Sequence, residues 1–179
     1  MNNDKLNIAF IGIGSNEGNK IENIKSAITL INDLADCTIE KVSSLYETLP
    51  FGDVIQDNYF NAVIKISTSA NLQELFSELK IIEQKLGRIF REKWGSREID
   101  LDILLFNDLI FSDEIITLPH EGIIYRDFVL VPLIEIEPEL IHPAFNKRIG
   151  DFISDLKTKN IINKLSDPLI TEENYLGIK

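Results

Sequence analysis

Apolar residues along this chain change their spacing in a fixed succession, and that succession restricts the fold more than any other feature. Leu6 to Ile13 is a short apolar run closed by glycines, which reads as a buried strand. Ile21, Ile24, Ile28, Ile31 and Leu34 then recur at helical spacing, behind an Asn19 and Glu22 pair suited to a capping box. Thr38 to Thr48 alternates as a second strand. Tyr59 to Ser67 does so as a third, with Phe60, Ala62, Ile64 and Ile66 on one side and Tyr59, Asn61 and Lys65 on the other. Leu72, Leu75, Phe76, Leu79, Ile82 and Leu86 form a second helical stripe, capped by Asn71 and stopped by Gly87. In Glu98 to Phe106 the period returns to two: Ile99, Leu101, Ile103 and Leu105 point to the core, and Glu98, Asp100 and Asp102 share the other face. The resulting βαββαβ order is that of a ferredoxin-like α+β sandwich, an antiparallel sheet with helices on its faces.

Beyond the last strand the pattern is weaker. Asn107-Asp108 turns the chain into Leu109 to Phe111. Phe128 to Ile136 is an apolar segment containing Pro132, which requires a first helical turn or a kink. Ile149, Phe152, Ile153 and Leu156 suit a short amphipathic helix, and the residues after Lys157 read as a weakly packed tail. At 179 residues and 44% hydrophobic, one domain over residues 1–157 with a C-terminal tail over 158–179 is expected.

Charge and cysteine count narrow the function. A net charge of −11 argues against nucleic acid or an anionic membrane as partner, since both need a basic face. No apolar run reaches membrane-spanning length and no leader is recognisable, so a soluble, cytoplasmic protein is expected. Cys37 stands alone, and neither it nor the two histidines has metal-ligand spacing. The basic residues are unevenly placed: Lys80, Lys85, Arg88, Arg91, Lys93 and Arg97 face only Glu83 and Glu92 in their stretch. A basic patch on an acidic chain suggests a small polyanion as ligand.

Asp100 and Asp102, two residues apart on a strand, lie side by side on one face, where like charges repel unless a cation sits between them. Oxygen ligands of this kind suit Mg²⁺, which completes its shell with phosphates and water. The bland alternative is a solvated edge strand. Arg88, Arg91, Lys93 and Arg97 precede the pair in a glycine-flanked loop, so cationic donors and a metal could meet on one triphosphate. Trp94, the only tryptophan, sits in this polar loop, where its ring could stack on a planar heterocycle. Gly12, Gly14 and Gly18 fit neither dinucleotide-binding nor phosphate-loop spacing, and a tight strand-to-helix turn is the better reading.

Taken together, Gly14-Ser15-Asn16-x-Gly18, Ser44-x-Tyr46-x-Thr48-x-Pro50-x-Gly52, Tyr59-x-Asn61, Gly87-Arg88, Trp94-Gly95-x-Arg97-x-Ile99-Asp100-Leu101-Asp102-Ile103, Pro119-His120 and Arg126-x-Phe128 resemble the 6-hydroxymethyl-7,8-dihydropterin pyrophosphokinases, from about Ile8 to Pro143. The resemblance implies ATP and the reduced pterin as substrates, two Mg²⁺ ions, and AMP and the pterin diphosphate as products, in folate biosynthesis. It makes Asp100 and Asp102 the metal ligands and adds Arg88 and Arg97 to them as catalytic groups. ATP contacts would come from Glu83, Arg88, Lys93, Trp94, Arg97, Ile103, Thr117, His120 and Arg126. Pterin contacts would come from Thr48, Leu49, Phe51, Gly52, Tyr59, Asn61, Trp94, Asp100 and Phe128. Leu49, Lys93 and Ser96 depart from residues common in the family. A binding module that has lost transfer, or an interaction domain without a small ligand, are the rival readings; the intact metal, phosphate and pterin positions favour the enzyme.

Overall fold

The computed structural model describes residues 6–50, 56–89, 95–165 and 169. Its central sheet is antiparallel at every pairing, with strand β1 (Asn7–Ser15) in its interior. Helix α1 (Lys20–Asn32) follows, then β2 (Cys37–Val42), β3 (Tyr46–Thr48), β4 (Tyr59–Thr68), helix α2 (Leu72–Lys85) and β5 (Asp100–Phe106). The short strands β6 (Phe111–Ser112) and β7 (Thr117–Leu118) pair with each other, and helices α3 (Gly122–Tyr125) and α4 (Asp127–Ile136) follow. Strands β8 (Ile141–His142) and β9 (Lys147–Arg148), a 3₁₀ helix over Ile149–Asp155 and strand β10 (Ile161–Lys164) are the last elements among the described residues. The sheet order is β10-β3-β4-β1-β5, with β2 also paired to β4.

Helices cover both faces of the sheet. On one face, Ile24, Ala27, Ile28 and Ile31 of α1 and Leu72, Leu75, Leu79 and Ile82 of α2 pack on Ile11, Ile13, Ile39, Ile64, Ile66 and Leu101. Each fully buried Ile or Leu contributes roughly 1.5–3 kcal/mol. On the other face, Val129, Leu130, Leu133 and Ile136 of α4 pack on Phe10, Val63, Leu104 and Leu105. The two helical stripes read from the sequence are the first of these layers, and Asn71 and Glu74 form a complete capping box. At Asn19 only the side-chain half exists: Asn19 accepts from the Glu22 amide, and the reciprocal bond of the expected box is not formed.

Three expectations are corrected. The second strand is two strands, because three residues after Val42 face two on β4 before pairing resumes at Tyr46. There the Ser43 hydroxyl accepts from the Val63 amide, taking over a ladder position. Leu105 belongs to the α4 side, since Phe10 pairs with Leu105 while Ile11 pairs with Ile103; Leu104 is an extra residue that turns both leucines to one face. Pro132 narrows an expectation rather than overturning it: it lies inside α4, past its first turn, so the first of its two expected placements is excluded and the Phe128 carbonyl receives no amide from it. The tail is not loose throughout: β10 pairs with β3 at the sheet edge, and Leu169 is buried in the α1/α2-side core. Among the described residues, no helix is long and apolar enough to cross a membrane.

Candidate functional site

Where β1, β4 and β5 pass the start of α4, their second face opens into a cavity of about 110 Å³. Glycines make the room. An added Cβ on Gly12 would meet the Leu104 side chain at 3.3 Å, and one on Gly14 would meet Asn61 Oδ1 at 3.0 Å. Asn61 is held in turn by its own amide, whose Nδ2 donates to Thr48 Oγ1 at 2.8 Å. Leu49, Tyr59 and Phe128 complete this end, a slot with apolar walls and an amide edge. Burial raises the Tyr59 phenol, Arg97 opposes and Asp100 adds to the shift, so the ring stays neutral. The Arg126 guanidinium lies 5.9 Å from the Phe128 ring centroid.

Arg97, Asp100, Asp102, His120 and Arg126 line the same cavity. Strand alternation puts both aspartates on the cavity face, as expected. Arg88 donates to Asp100 Oδ1 at 2.6 Å, and Arg97 donates to Asp100 Oδ2, so both oxygens of this carboxylate are held by guanidinium. Asp102 is in the opposite situation. Burial raises its carboxyl, the nearby charge of Asp100 raises it further, and His120, Lys80 and Arg97 only oppose. Two carboxylates, one of them carrying charge at a desolvation cost, form a donor set that fits a hard divalent cation completed by phosphate and water. Among the described residues no group of three or more His, Cys, Asp or Glu side chains gathers elsewhere as a metal cage.

Arg88 does not line the cavity; it approaches Asp100 from the α2 side, together with Glu83. Glu83 is 2% exposed and accepts at Oε1 from Lys80 Nζ at 2.8 Å, from the Leu101 amide at 2.7 Å and from Arg88. Burial raises the Glu83 carboxyl, and Lys80, the Leu101 amide and Arg88 counter it. Burial pulls the Arg88 guanidinium down, but the charges of Asp100 and Glu83 raise it overall. Glu83 therefore aims Arg88 and anchors β5 from behind. Ile103 is buried in the α1/α2-side core away from the cavity, and exposed Thr117 lines a neighbouring groove that shares His120 with it. His120 is oriented by the Gly122 amide, which donates to Nδ1 at 3.0 Å, leaving Nε2 to carry the ring proton of the neutral form. Phe51, Gly52, Lys93 and Trp94 lie outside the described residues.

Sequence reading passed over two residues. Asn16, 1% exposed, accepts from the Arg97 amide at 2.8 Å, donates its own amide to the Arg97 carbonyl at 3.1 Å and donates Nδ2 to Gln56 Oε1 at 3.0 Å. Gln56 also receives the Tyr59 hydroxyl, at 3.4 Å, and lines the cavity. Ser15 Oγ donates to the Glu98 carbonyl at 2.6 Å. The glycine-rich turn is thus a clamp on the segment that carries Arg97, consistent with its reading as a turn; Gly18, at φ 66°, makes the bend. The signal for Asn16 was its place beside Ser15 in that turn. Gln56 gave none.

An α+β sandwich in which one cavity joins a ring-sized amide-edged slot to paired acids and guanidinium groups defines a small-molecule site for a ligand that is flat at one end and anionic at the other. The family model described as 7,8-dihydro-6-hydroxymethylpterin-pyrophosphokinase (HPPK) matches residues 10–138, and the chain belongs to that family. It is 41% identical over 143 residues to the 2-amino-4-hydroxy-6-hydroxymethyldihydropteridine pyrophosphokinase of Aquifex aeolicus, covering 80% of this chain and 88% of that protein. Against the protein of the same name from Bacillus subtilis it is 43% identical over 130 residues, covering 73% and 78%. Among solved structures, the Plasmodium falciparum HPPK-DHPS wild type with pterin and p-hydroxybenzoate superposes with a TM-score of 0.67 at 18% identity, over 84% of this chain and 42% of that one. This last likeness speaks for the fold, and the chain spans less than half of that protein.

Proposed function

We propose that this chain transfers the terminal diphosphate of ATP to the hydroxymethyl group of 6-hydroxymethyl-7,8-dihydropterin, releasing AMP, as a step of folate biosynthesis. The observation that carries the reading is a single cavity lined both by the amide and ring residues of a heterocycle slot and by the aspartate pair. In the reaction the pterin hydroxyl oxygen bonds to the β-phosphorus, the bond from that phosphorus to the α,β-bridging oxygen breaks, and the hydroxyl proton leaves. Asn61 is suited to the pterin edge because its amide both donates and accepts. Phe128 and Tyr59 give that ring its flanking surfaces, and Thr48 and Leu49 close the side.

Asp100 and Asp102 would hold Mg²⁺, two ions by the family pattern. Bound there, the metal supplies positive charge against the phosphates and orients the attacking and leaving oxygens. Arg88 and Arg97 now occupy both oxygens of Asp100. Were Asp100 engaged by a cation, both guanidinium groups would be placed to offset the charge that spreads over the transferring group. His120 can donate from Nε2 to a phosphate oxygen, and Arg126 adds a further cation on the same side. Because His120 borders both the cavity and the Thr117 groove, the adenine end of the nucleotide would extend toward Thr117. Phe51, Gly52, Lys93 and Trp94 keep the contacts the family resemblance implies, Lys93 and Trp94 to ATP and Phe51, Gly52 and Trp94 to the pterin, and Ile103 and Glu83 act from behind the strand. A cytoplasmic location suits a reaction that consumes ATP.

Incubating the protein with ATP, Mg²⁺ and the reduced pterin should yield AMP and the pterin diphosphate in equal amounts. ADP as the nucleotide product, or no pterin-dependent turnover, would overturn the assignment.

A further inference from the structure

The C-terminal segment meets the cavity from outside, at a joint that none of the roles above uses. Asp127, the first residue of α4, is 4% exposed, yet its carboxylate points away from the cavity that its neighbours Arg126 and Phe128 line. Asp127 Oδ2 accepts from the amides of Asn160 and Ile161, at 2.7 and 2.9 Å. Asn160 then reaches the opposite wall: its carbonyl accepts from the Leu49 amide at 2.9 Å, and its Nδ2 donates to the Pro50 carbonyl at 3.4 Å.

We infer that Asp127 and Asn160 are positioning residues for the heterocycle slot, fixing the spacing between the Phe128 wall and the Thr48-Leu49 wall. The physical reason is connectivity. Phe128 stands on α4, on the sheet's second face, whereas Thr48 and Leu49 stand at the end of short β3, next to the outer strand β10. A three-residue strand has little rigidity of its own. The Asp127 carboxylate, the start of β10 and the Leu49-Pro50 backbone form one hydrogen-bonded chain from the first wall to the second. Buried charge is a costly way to pack a helix start, and two oxygens of the joint, Asp127 Oδ1 and Asn160 Oδ1, are buried without a partner among the described residues. An apolar contact would hold the helix at lower cost but would not fix a direction. The carboxylate fixes one, because its two amide donors are successive residues at the start of β10, the strand paired to β3, which ends in the slot wall.

This inference rests on the pterin reading of the slot, and the test separates the two. Wild-type protein, Asp127→Ala, Asp127→Asn and Asn160→Ala are each assayed for AMP production. Binding of the reduced pterin and of an unreactive ATP analogue with Mg²⁺ is titrated separately. For Asp127→Ala the pterin affinity should fall by about tenfold, the worth of hydrogen bonds to a charged acceptor, with ATP-analogue affinity changed by less than about twofold. Asp127→Asn keeps an acceptor oxygen and should recover most of the loss. Asn160→Ala, which removes only the Pro50 bond, should weaken pterin by roughly threefold. If Asp127→Ala does not fold, Asn160→Ala decides by the same pterin-to-nucleotide ratio. Equal loss of both ligands, or unchanged pterin affinity, overturns the positioning role while wild-type AMP release leaves the function standing. Wild-type protein that binds no pterin overturns both.

Discussion

At the scale of single residues the site depends on atoms left out as much as on groups present. Gly14 has strand geometry and could accept a side chain as backbone; what forbids one is Asn61 Oδ1 at 3.0 Å from the Cβ position. Gly14→Ala should change the melting temperature little, since the gain of about 0.5–1 kcal/mol from replacing a strand glycine is offset by the strained buried Asn61–Thr48 hydrogen bond, worth about 1 kcal/mol. It should also push the Asn61 amide off Thr48 and raise the pterin KM several-fold, by about 3- to 10-fold, with the ATP KM steady. Steady-state kinetics in both substrates check this, and an unchanged pterin KM would remove Asn61 from recognition. Asp102 presents the reverse case. Its carboxylate is raised by burial and then by Asp100, so its charge is a burden on the apo fold. Asp102→Asn should raise thermal stability while cutting AMP production by on the order of 100-fold or more. A variant that is active, or that is less stable, would refute the metal role or the repulsion argument respectively. The acid pair was legible in the sequence because i, i+2 spacing on an alternating strand dictates a shared face. Gln56 and Asp127 were not, because each acts on segments distant along the chain and local spacing carries no trace of such contacts.

At the scale of elements, what was legible is what local periodicity encodes. The two amphipathic helices and strands β1, β4 and β5 stand where their patterns put them, give or take two residues at the ends. The corrections all arise from partners. The extra residue at Leu104 can be seen only in the register against β1, and it turns Leu105 toward α4. The break at Ser43 appears only once β4 is alongside. Strand β10 has an apolar pair followed by Asn163 and Lys164, a sequence without alternation that becomes a strand because β3 offers it a free edge. Capping gives a test of how far geometry decides at this scale. Asn71→Ala breaks a reciprocal box and should cost about 1 kcal/mol, lowering the melting temperature by about 2–4 °C for a chain of this size. Asn19→Ala removes a single 3.4 Å bond and should cost distinctly less. Equal losses in thermal melts would mean that residue type, not bond geometry, sets the cap's value.

At the scale of the whole molecule, the layer outside α4 links fold stability to pH through one histidine. His142 is 4% exposed, its Nδ1 has no hydrogen-bond partner among the described residues, and its ring packs against Phe145 and Phe152 at centroid distances of 4.9 and 5.8 Å. Burial lowers its pKa, so the folded protein holds it neutral. Unfolded, it takes a proton at about pH 6.5. Above that value the group contributes no pH dependence; as pH falls below it the unfolded state binds the proton first, and stability is lost until the folded pKa is reached. Asp102 and Glu83 act with the opposite sign, because their raised carboxyls are relieved as pH falls. Glu135 and Glu137 follow the ordinary acid pattern. Hydrogen bonds from Ser44, Tyr46 and Lys164 outweigh burial to lower Glu135, and Lys65 lowers Glu137, so their stabilisation is lost only in stronger acid, below about pH 4.5. The histidine is therefore isolated by a difference rather than by one curve. His142→Phe keeps the aromatic packing and removes the proton site, so the gap between its melting temperature and that of the wild type should widen as pH drops from 7 toward 5. One proton is worth at most about 1.4 kcal/mol per pH unit, which limits the widening to roughly 3–6 °C per unit. Parallel curves through that window would show that the ring is solvated, and that the layer over α4 opens more readily than its packing implies.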